Sequence, residues 1–554
     1  MGLIERRIGL LFAVFLFVMG VIALRAVQLG TLQGDRLAQA ATRQHVQEVT
    51  VPASRGTITD RNGVELAVAE PASDVSATPY LVKDPARVAA KLAPLLEVEE
   101  GELIEKLTRR DTGFVYLKRK VPADRADRIA KLGIEGIDLT PSQRRTYPRD
   151  YMASQVLGMV GTDGDGLAGI EHAFDRFLRG QDGLRRIVRD GVGDDVVVRD
   201  VKPARPGARI ELTLDATLQD KVEEVLKDIG STYRPKGATA IVADPSNGEI
   251  LALANWPRVN ANDPAGAPEY ARQNRAVGFA YEPGSTFKAI TMAGALEDGV
   301  VTPDTAFNLP PQIQVADRVI KNAEERGWVT LTTREILAHS DNVGTIVVGK
   351  DRLGAKRFDH WVRRFGFGKP TGTDLPGEER GIVLPLEKYS GSSMGNLPIG
   401  HGELVTPLQI TQAYIAIANG GILRTPHIVR SIDGRPTRDR AGRRVISERT
   451  AAQLREMLEG VLKPGGTASE VEVPGYTLAG KTGTANKLDT NTGEYSQSKY
   501  IASFVGFAPA RRPRVVISIV VDEPQGAIYG GQIAAPAFGK IAAFAMQYLE
   551  IPPR

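Results

Sequence analysis

The chain has 554 residues, no cysteine and a formal net charge of +4. That length calls for more than one domain, the absence of thiols excludes disulfides and thiolate zinc sites, and so mild a charge gives no argument for binding nucleic acid. Six histidines are scattered without metal-ligand spacing, so neither a metal nor a cofactor is expected.

Taken in chain order, residues 1–7 form a short tail carrying Arg6 and Arg7, and Ile8 to Leu24 holds no charged or strongly polar side chain. As a helix this stretch rises ~26 Å, enough for a bilayer core if Arg25 snorkels and Ala26 and Val27 extend it. The flanking arginines predict a cytoplasmic N-terminus and an exported bulk. A cleavable signal peptide ending near Val21-Ile22-Ala23 is the alternative. Residues 25 to about 50 read as a polar helical stem. From Arg55 to about Pro206 the pattern is short strands and turns with one clear helix, Pro85 to Leu96. Pro203 to Pro206 reads as a linker, leading into a linker and entry segment over 206–236.

From Gly237 the signals strengthen. Ala238–Asp244 and Gly248–Ala254 predict a hairpin, Val515–Val521 a strand, and Pro536–Leu549 an apolar helix. Asp433–Arg444, basic and rich in turn residues, reads as a solvated hairpin tip. Strands at both ends with helices between predict an α+β fold in which an antiparallel sheet is covered by helices.

Three polar motifs lie in order within this half: Ser285-Thr286-Phe287-Lys288, Ser340-Asp341-Asn342 and Lys481-Thr482-Gly483-Thr484-Ala485. Pro283-Gly284 makes a turn, and Phe287, Ala289, Ile290, Met292, Ala293, Ala295 and Leu296 predict a buried helix. Ser285 then stands at its start with Lys288 one turn on. Desolvation and the positive helix end would lower the lysine pKa, so that a neutral amine can take the serine proton. The serine's own N–H can bond an oxyanion. Ser340-Asp341-Asn342 reads as a loop between two helices. Lys481-Thr482-Gly483 reads as a strand with Tyr500–Phe507 as neighbour, offering an ammonium, hydroxyls and a backbone N–H at an edge that Gly483 leaves open.

Gly475–Thr482 also matches the phosphate-binding string G-x-x-x-x-G-K-[ST]. A P-loop opens a helix, whereas Asn486–Gly493 is turn-rich and Pro474 stands where the preceding strand should run. The nucleotide reading is rejected on that context.

Together, the three motifs resemble the active-site set of penicillin-binding proteins and serine β-lactamases. Arg55–Gly63, Arg145–Pro148, Gly166–Glu171, Leu212–Asp215 and Leu218-Gln219 extend the resemblance to the class B penicillin-binding proteins over nearly the whole chain. The resemblance implies a stem and non-catalytic, dimerisation-type pedestal over 25–205 and a transpeptidase domain over 237–554. It assigns Ser285 as nucleophile, Lys288 as its base, Ser340 to proton transfer and Asn342 to substrate amide binding. Lys481, Thr482, Gly483 and Thr484 would receive the substrate, and the N–H groups of Ser285 and Thr484 would bind the oxyanion.

The activity implied is a peptidoglycan D,D-transpeptidase that crosslinks stem peptides and is trapped by β-lactams. Tyr281-Glu282-Pro283-Gly284 and the Lys-Thr-Gly-Thr-Ala run look like the septal division type, although Ser340-Asp341-Asn342 is shared with elongation enzymes. No paired acidic glycosyltransferase motif occurs between residues 25 and 205. Glycan polymerisation would therefore fall to a partner of the shape, elongation, division and sporulation (SEDS) family, alongside other division proteins. A serine β-lactamase, a β-lactam sensor and a non-enzymatic division scaffold are the rivals. Neither Gly402–Thr406 nor Gly377–Arg380 matches the Glu-x-x-Leu-Asn string with which class A β-lactamases activate water.

Overall fold

The computed structural model describes residues 2–29, 46–189, 195–437, 441–488 and 494–553. The first element is the helix Gly2–Val27. Its segment Arg6–Val27 is, among the described residues, the one helix long and apolar enough to cross a membrane. Leu10, Phe12, Phe15, Leu16 and Ile22 are exposed on it. An all-round apolar helix without a protein cover fits a lipid solvent better than a core. The stem helix expected to reach residue 50 is corrected in part: residues 30–45 lie outside the described residues, and Val46–Val51 is a strand.

The described chain divides into two compact units, one of residues 1–54, 71–143 and 180–207, the other of 55–70, 144–179 and 208–554. In the first, Gly183–Arg189 pairs antiparallel with Val46–Val51 on one side and Asp195–Lys202 on the other. The second part of strand Glu65–Ala77 pairs with Val115–Pro122. Val75, Leu92, Leu96, Leu103, Leu117 and Ile129 form the core there. Helix Pro85–Leu96 starts as expected, with Asp84 capping Arg87 N at 3.1 Å and proline in the first turn. Two helices went unread, Glu100–Thr108 and Ala123–Ala130. Each buries only two side chains, too few to set a helical period in the sequence.

In the second unit, Arg55, Arg145 and Glu171, drawn from three of the segments that carry the resemblance, form buried ion pairs. Arg55 Nε and Arg145 Nε each lie 2.6 Å from a different oxygen of Glu171, and Arg55 Nη1 lies 2.7 Å from Asp175. The stretch expected as a connecting segment is itself folded. Ile210–Leu212 pairs with Ile58–Thr59 and Val429–Ile432. Helix Ala216–Tyr233, capped by Asp215, buries Leu218, Val222, Val225, Leu226 and Ile229. The basic tip forms a tight hairpin from Val429–Ile432 to Arg435–Pro436, while Arg443–Arg444 returns to pair with Ile422–Leu423.

The main sheet runs, in spatial order, Ile250–Trp256, Gly237–Ala243, Val515–Asp522, Tyr495–Ala508 and Ala479–Leu488, antiparallel throughout. Ile250–Trp256, Gly237–Ala243 and Val515–Asp522 read as near-continuous apolar runs because both their faces are covered. On one face lie Ala216–Tyr233 and the C-terminal helix, through Val222, Phe538 and Ile541. Against the other pack Lys288–Glu297, Pro407–Ala418 and Glu448–Glu459, through Ile290, Tyr414 and Leu454. The C-terminal helix begins at Gly530, six positions ahead of the expected Pro536, which therefore sits inside it. Proline cannot donate to the carbonyl four residues back. That carbonyl, on Gln532, accepts the Tyr233 hydroxyl at 3.5 Å instead.

Candidate active site

Ser285 and Lys288 sit where the chain turns into a buried helix. Gly284–Phe287 is a 3-10 turn and Lys288 opens the α-helix Lys288–Glu297, so the expected α-helical start at Ser285 is displaced by one turn. The reason is local. Gly284 takes φ +54°, and its N–H donates to Gly400 O at 3.0 Å. A Cβ at Gly400 would stand 2.1 Å from Gly284 O. Tyr414, wholly buried, fixes the turn by donating to Thr286 O at 2.9 Å.

Lys288 is fully buried, and its Nζ lies 2.6 Å from Ser340 O, 2.6 Å from Asn342 Oδ1 and 3.2 Å from Ser340 Oγ. Desolvation brings its pKa down to about 7, against the opposing pull of the Asp341 carboxylate. A neutral amine keeps two N–H donors, which the two short acceptors match. Its lone pair is then free for a hydroxyl.

The second motif is the expected loop, between helices Thr333–Ala338 and Asn342–Ile346. Ser340 holds φ +58°, a left-handed conformation uncommon for a side chain other than glycine, asparagine or aspartate. Asp341 is not a catalytic acid here but the peg of the loop. It caps Gly344 N at 2.6 Å, and its other oxygen accepts from Asn322 Nδ2 at 2.7 Å and Arg326 Nε at 2.9 Å. Asn322 Oδ1 in turn accepts Asn342 N at 2.6 Å, and Asn342 Nδ2 donates to Lys321 O at 2.9 Å. Asn322 and Arg326 were missed by sequence reasoning. The one available signal was that a buried Asp341 needs a counter-ion.

The third motif lies on edge strand Ala479–Leu488, with Lys481 opposite Val505 and Gly483 opposite Ser503. Lys481 lies inside the strand Ala479–Leu488 and opens no helix, as the rejection of the P-loop required. Lys481 is fully buried and held well below the usual lysine range, first by desolvation and then by the nearby Lys288 ammonium. Thr482 Oγ1 shares a 2.7 Å hydrogen bond with Thr467 Oγ1, and Thr484 Oγ1 accepts Gly530 N at 3.1 Å. A Cβ at Gly483 would stand 2.3 Å from Ser503 Oγ and 2.9 Å from Thr286 Cγ2. The strand therefore abuts the Ser285 turn. Ser285, Ser340, Asn342 and Thr484 are half-exposed, whereas the Lys288 and Lys481 side chains are buried.

Beside the turn, Glu282 accepts from His401 Nδ1, Gly402 N and Tyr495 Oη, each at 2.9 Å. Glu403 is buried and raised well above the carboxylate range by burial and by the Glu282 charge. A carboxyl group biased toward its protonated form is a poorer activator of water than a free carboxylate. Glu378 is occupied by Thr371 N at 2.7 Å.

A sheet covered by helices, with a serine turn, a buried lysine and a lysine-bearing edge strand meeting at one place, defines a serine acyltransferase of the penicillin-recognising class. Residues 238–543 match the Penicillin binding protein transpeptidase domain and residues 50–212 the Penicillin-binding Protein dimerisation domain. Stage V sporulation protein D of Bacillus subtilis is 34% identical, the alignment covering 98% of this chain and 86% of that protein. Peptidoglycan D,D-transpeptidase FtsI of Escherichia coli is 32% identical, over 99% and 93%. The crystal structure of penicillin-binding protein 3 from Mycobacterium tuberculosis complexed with aztreonam superimposes with a TM-score of 0.72 at 31% identity, covering 91% of this chain and 98% of that one. The chain belongs to the class B penicillin-binding proteins.

Proposed function

We propose that the protein is a peptidoglycan D,D-transpeptidase working through an acyl-enzyme on Ser285. Ser285 Oγ attacks the penultimate D-Ala carbonyl of a stem peptide while neutral Lys288 takes its proton. The N–H groups of Ser285 and Thr484 hold the oxyanion. The carbon–nitrogen bond then breaks, and the terminal D-Ala leaves with a proton relayed through Ser340. Asn342 holds the donor amide, and Lys481, Thr482 and Gly483 receive its carboxylate. An acceptor amine from a neighbouring stem closes the crosslink, and a β-lactam would stop at the ester.

The observation that carries this reading is the buried Lys288, whose Nζ reaches Ser340 Oγ at 3.2 Å and Asn342 Oδ1 at 2.6 Å. Burial lowers its pKa to about 7, so a useful fraction is neutral at working pH. The purified chain should be labelled by a fluorescent penicillin and Ser285→Ala should not. Undiminished labelling of a folded Ser285→Ala protein would end the assignment. A β-lactamase is disfavoured by the raised pKa of the buried Glu403, and bound penicillin should persist for many minutes after free drug is removed.

The same reading places the enzyme in the bacterial cell membrane through residues 8–24, with residues 1–7 cytoplasmic and both folded units outside. It assigns 25–205 to stem and pedestal, 206–236 to the segment between, and 237–554 to catalysis. The sequence similarity to FtsI supports a septal role, with a SEDS-family glycosyltransferase and other division proteins as partners; an elongation role is the competing reading. A tagged copy enriched along the side wall instead of the septum would overturn the septal assignment.

A further inference from the structure

Behind the catalytic turn's lysine, helix Ala355–Arg364 presses Trp361 against Gly294 of the helix Lys288–Glu297, where a Cβ would stand 2.5 Å from the indole. A groove of about 910 Å³ is lined from this helix and its surroundings by Lys356, Arg357, Arg363, Arg364, Lys369 and Arg443, together with His360, Asp359 and Leu386. Six permanent cations thus face one carboxylate. Asp359 is already engaged by Arg363 Nε at 3.0 and 3.1 Å.

Several of the cations are fixed by backbone carbonyls, which orient a guanidinium without neutralising it. Arg364 Nε donates to Val445 O at 2.8 Å, Arg443 Nη2 to Arg364 O at 2.8 Å, Arg363 Nη2 to Leu384 O at 2.9 Å and Arg357 Nε to Leu353 O at 2.7 Å. Among the described residues no carboxylate lies within 4.0 Å of Lys356, Lys369, Arg364 or Arg443. Glu297, whose field Arg364 feels, is held by Ser447 N. Asp298 lies 3.8 Å from Arg357, and Glu387 acts on Arg363 from a distance. The positive potential of the groove therefore goes largely unanswered by the protein.

The geometry points to a binding groove for a polyanionic chain, specifically a phosphodiester-linked polymer of the cell surface. Guanidinium groups with ordered forks suit tetrahedral phosphate oxygens. A protein partner would require an apolar or aromatic centre to its interface, and Leu386 is the one apolar side chain of the lining. The groove is wide open to solvent, a shape that a flexible chain can follow without rearrangement of the protein. Binding in this groove, which no residue of the three motifs lines, would tether the enzyme along the wall polymer without occupying the catalytic turn.

The test uses the full chain in neutral detergent with fluorescein-labelled poly(glycerol phosphate) as probe, read by polarisation. The double variant Lys356→Glu, Lys369→Glu removes two exposed cations whose ammonium groups hold no partner among the described residues, so folding and penicillin labelling should be unchanged. Binding should fall steeply with added salt, weaken at least tenfold in the double variant, and resist competition by free glycerol phosphate at equal phosphate concentration. Absence of binding, equal binding by the double variant, or displacement by monomeric glycerol phosphate at that concentration would overturn the proposal. Equally tight binding of poly-glutamate would overturn it in favour of an acidic peptide. Loss of binding on reconstitution into anionic, but not zwitterionic, lipid discs would overturn it in favour of headgroups.

Discussion

Lys288 has an environment that leaves a pH signature. Its folded pKa of about 7 lies below the ordinary 10.5, so the neutral, proton-accepting form grows as pH rises through neutrality. Acylation by penicillin should therefore climb between about pH 6 and 8 and level off above. Because the Asp341 charge raises this pKa, Asp341→Asn should move the midpoint to lower pH; a midpoint that stays or rises would contradict the role given to Asp341. Ser340 offers a separate test. Its φ of +58° is one that glycine tolerates without penalty, so Ser340→Gly should leave thermal stability equal or raised, by about 1 kcal/mol, while slowing acylation. A fall in both would mean that the hydroxyl holds the fold and does not relay protons. Lys481 shows the same logic from the substrate's side. Burial and the Lys288 charge hold it low, so an arriving carboxylate should bring a proton with it. Calorimetry in buffers of different ionisation enthalpy should register net proton uptake on binding a carboxylate-bearing donor and none with Lys481→Met.

At the scale of elements, the active site is a junction where close approach leaves no room. A Cβ on Gly530 would stand 2.2 Å from Ser503 O and 2.4 Å from Gly483 O, on the strand pair that carries the third motif. Gly530→Ala should destabilise the protein by about 1–3 kcal/mol and slow acylation, whereas Gly526→Ala, where a Cβ meets nothing within 4 Å, should cost strain at its positive φ but spare the rate. This junction also marks the limit of sequence reading. The hairpin after Gly237, the strand over 515–521 and the loop at Ser340 were legible because turn residues bracket short apolar runs. The start of the last helix was not, because Pro536 imitates a helix start and Gly530-Gly531 imitates a loop. The reach of Asn322 and Arg326 to Asp341 was also hidden, since no local pattern reports a contact made through space.

Across the molecule, the polar motifs were readable as chemistry long before their supports were. Ser285, Lys288, Ser340 and Lys481 announce themselves by type and spacing. By contrast, the two units interleave along the chain, with residues 55–70 and 144–179 belonging with the C-terminal unit. Composition changes little across those boundaries, so no shift in pattern betrays them. The resemblance located the Arg55, Arg145 and Glu171 motifs correctly as structural. Arg145→Ala should leave Glu171, wholly buried, with one guanidinium instead of two. A loss of about 3 kcal/mol or more is expected, read as a lower midpoint in urea, with unaltered acylation of whatever remains folded.

The order of strands in the main sheet has a consequence for how the protein is made. Gly237–Ala243 lies between Ile250–Trp256 and Val515–Asp522, so the second strand neighbour of an early segment is among the last to be synthesised. Contacts this distant in sequence form slowly. A chain emerging from an export channel N-terminus first would hold its apolar hairpin half-covered while all three motifs pass, open to aggregation and proteolysis until the tail arrives. A chain ended after Pro513 retains Ser285, Lys288 and Lys481, yet it should neither capture penicillin nor survive mild protease. Supplying the missing tail as a separate polypeptide should restore both, if the late strand can still find its slot.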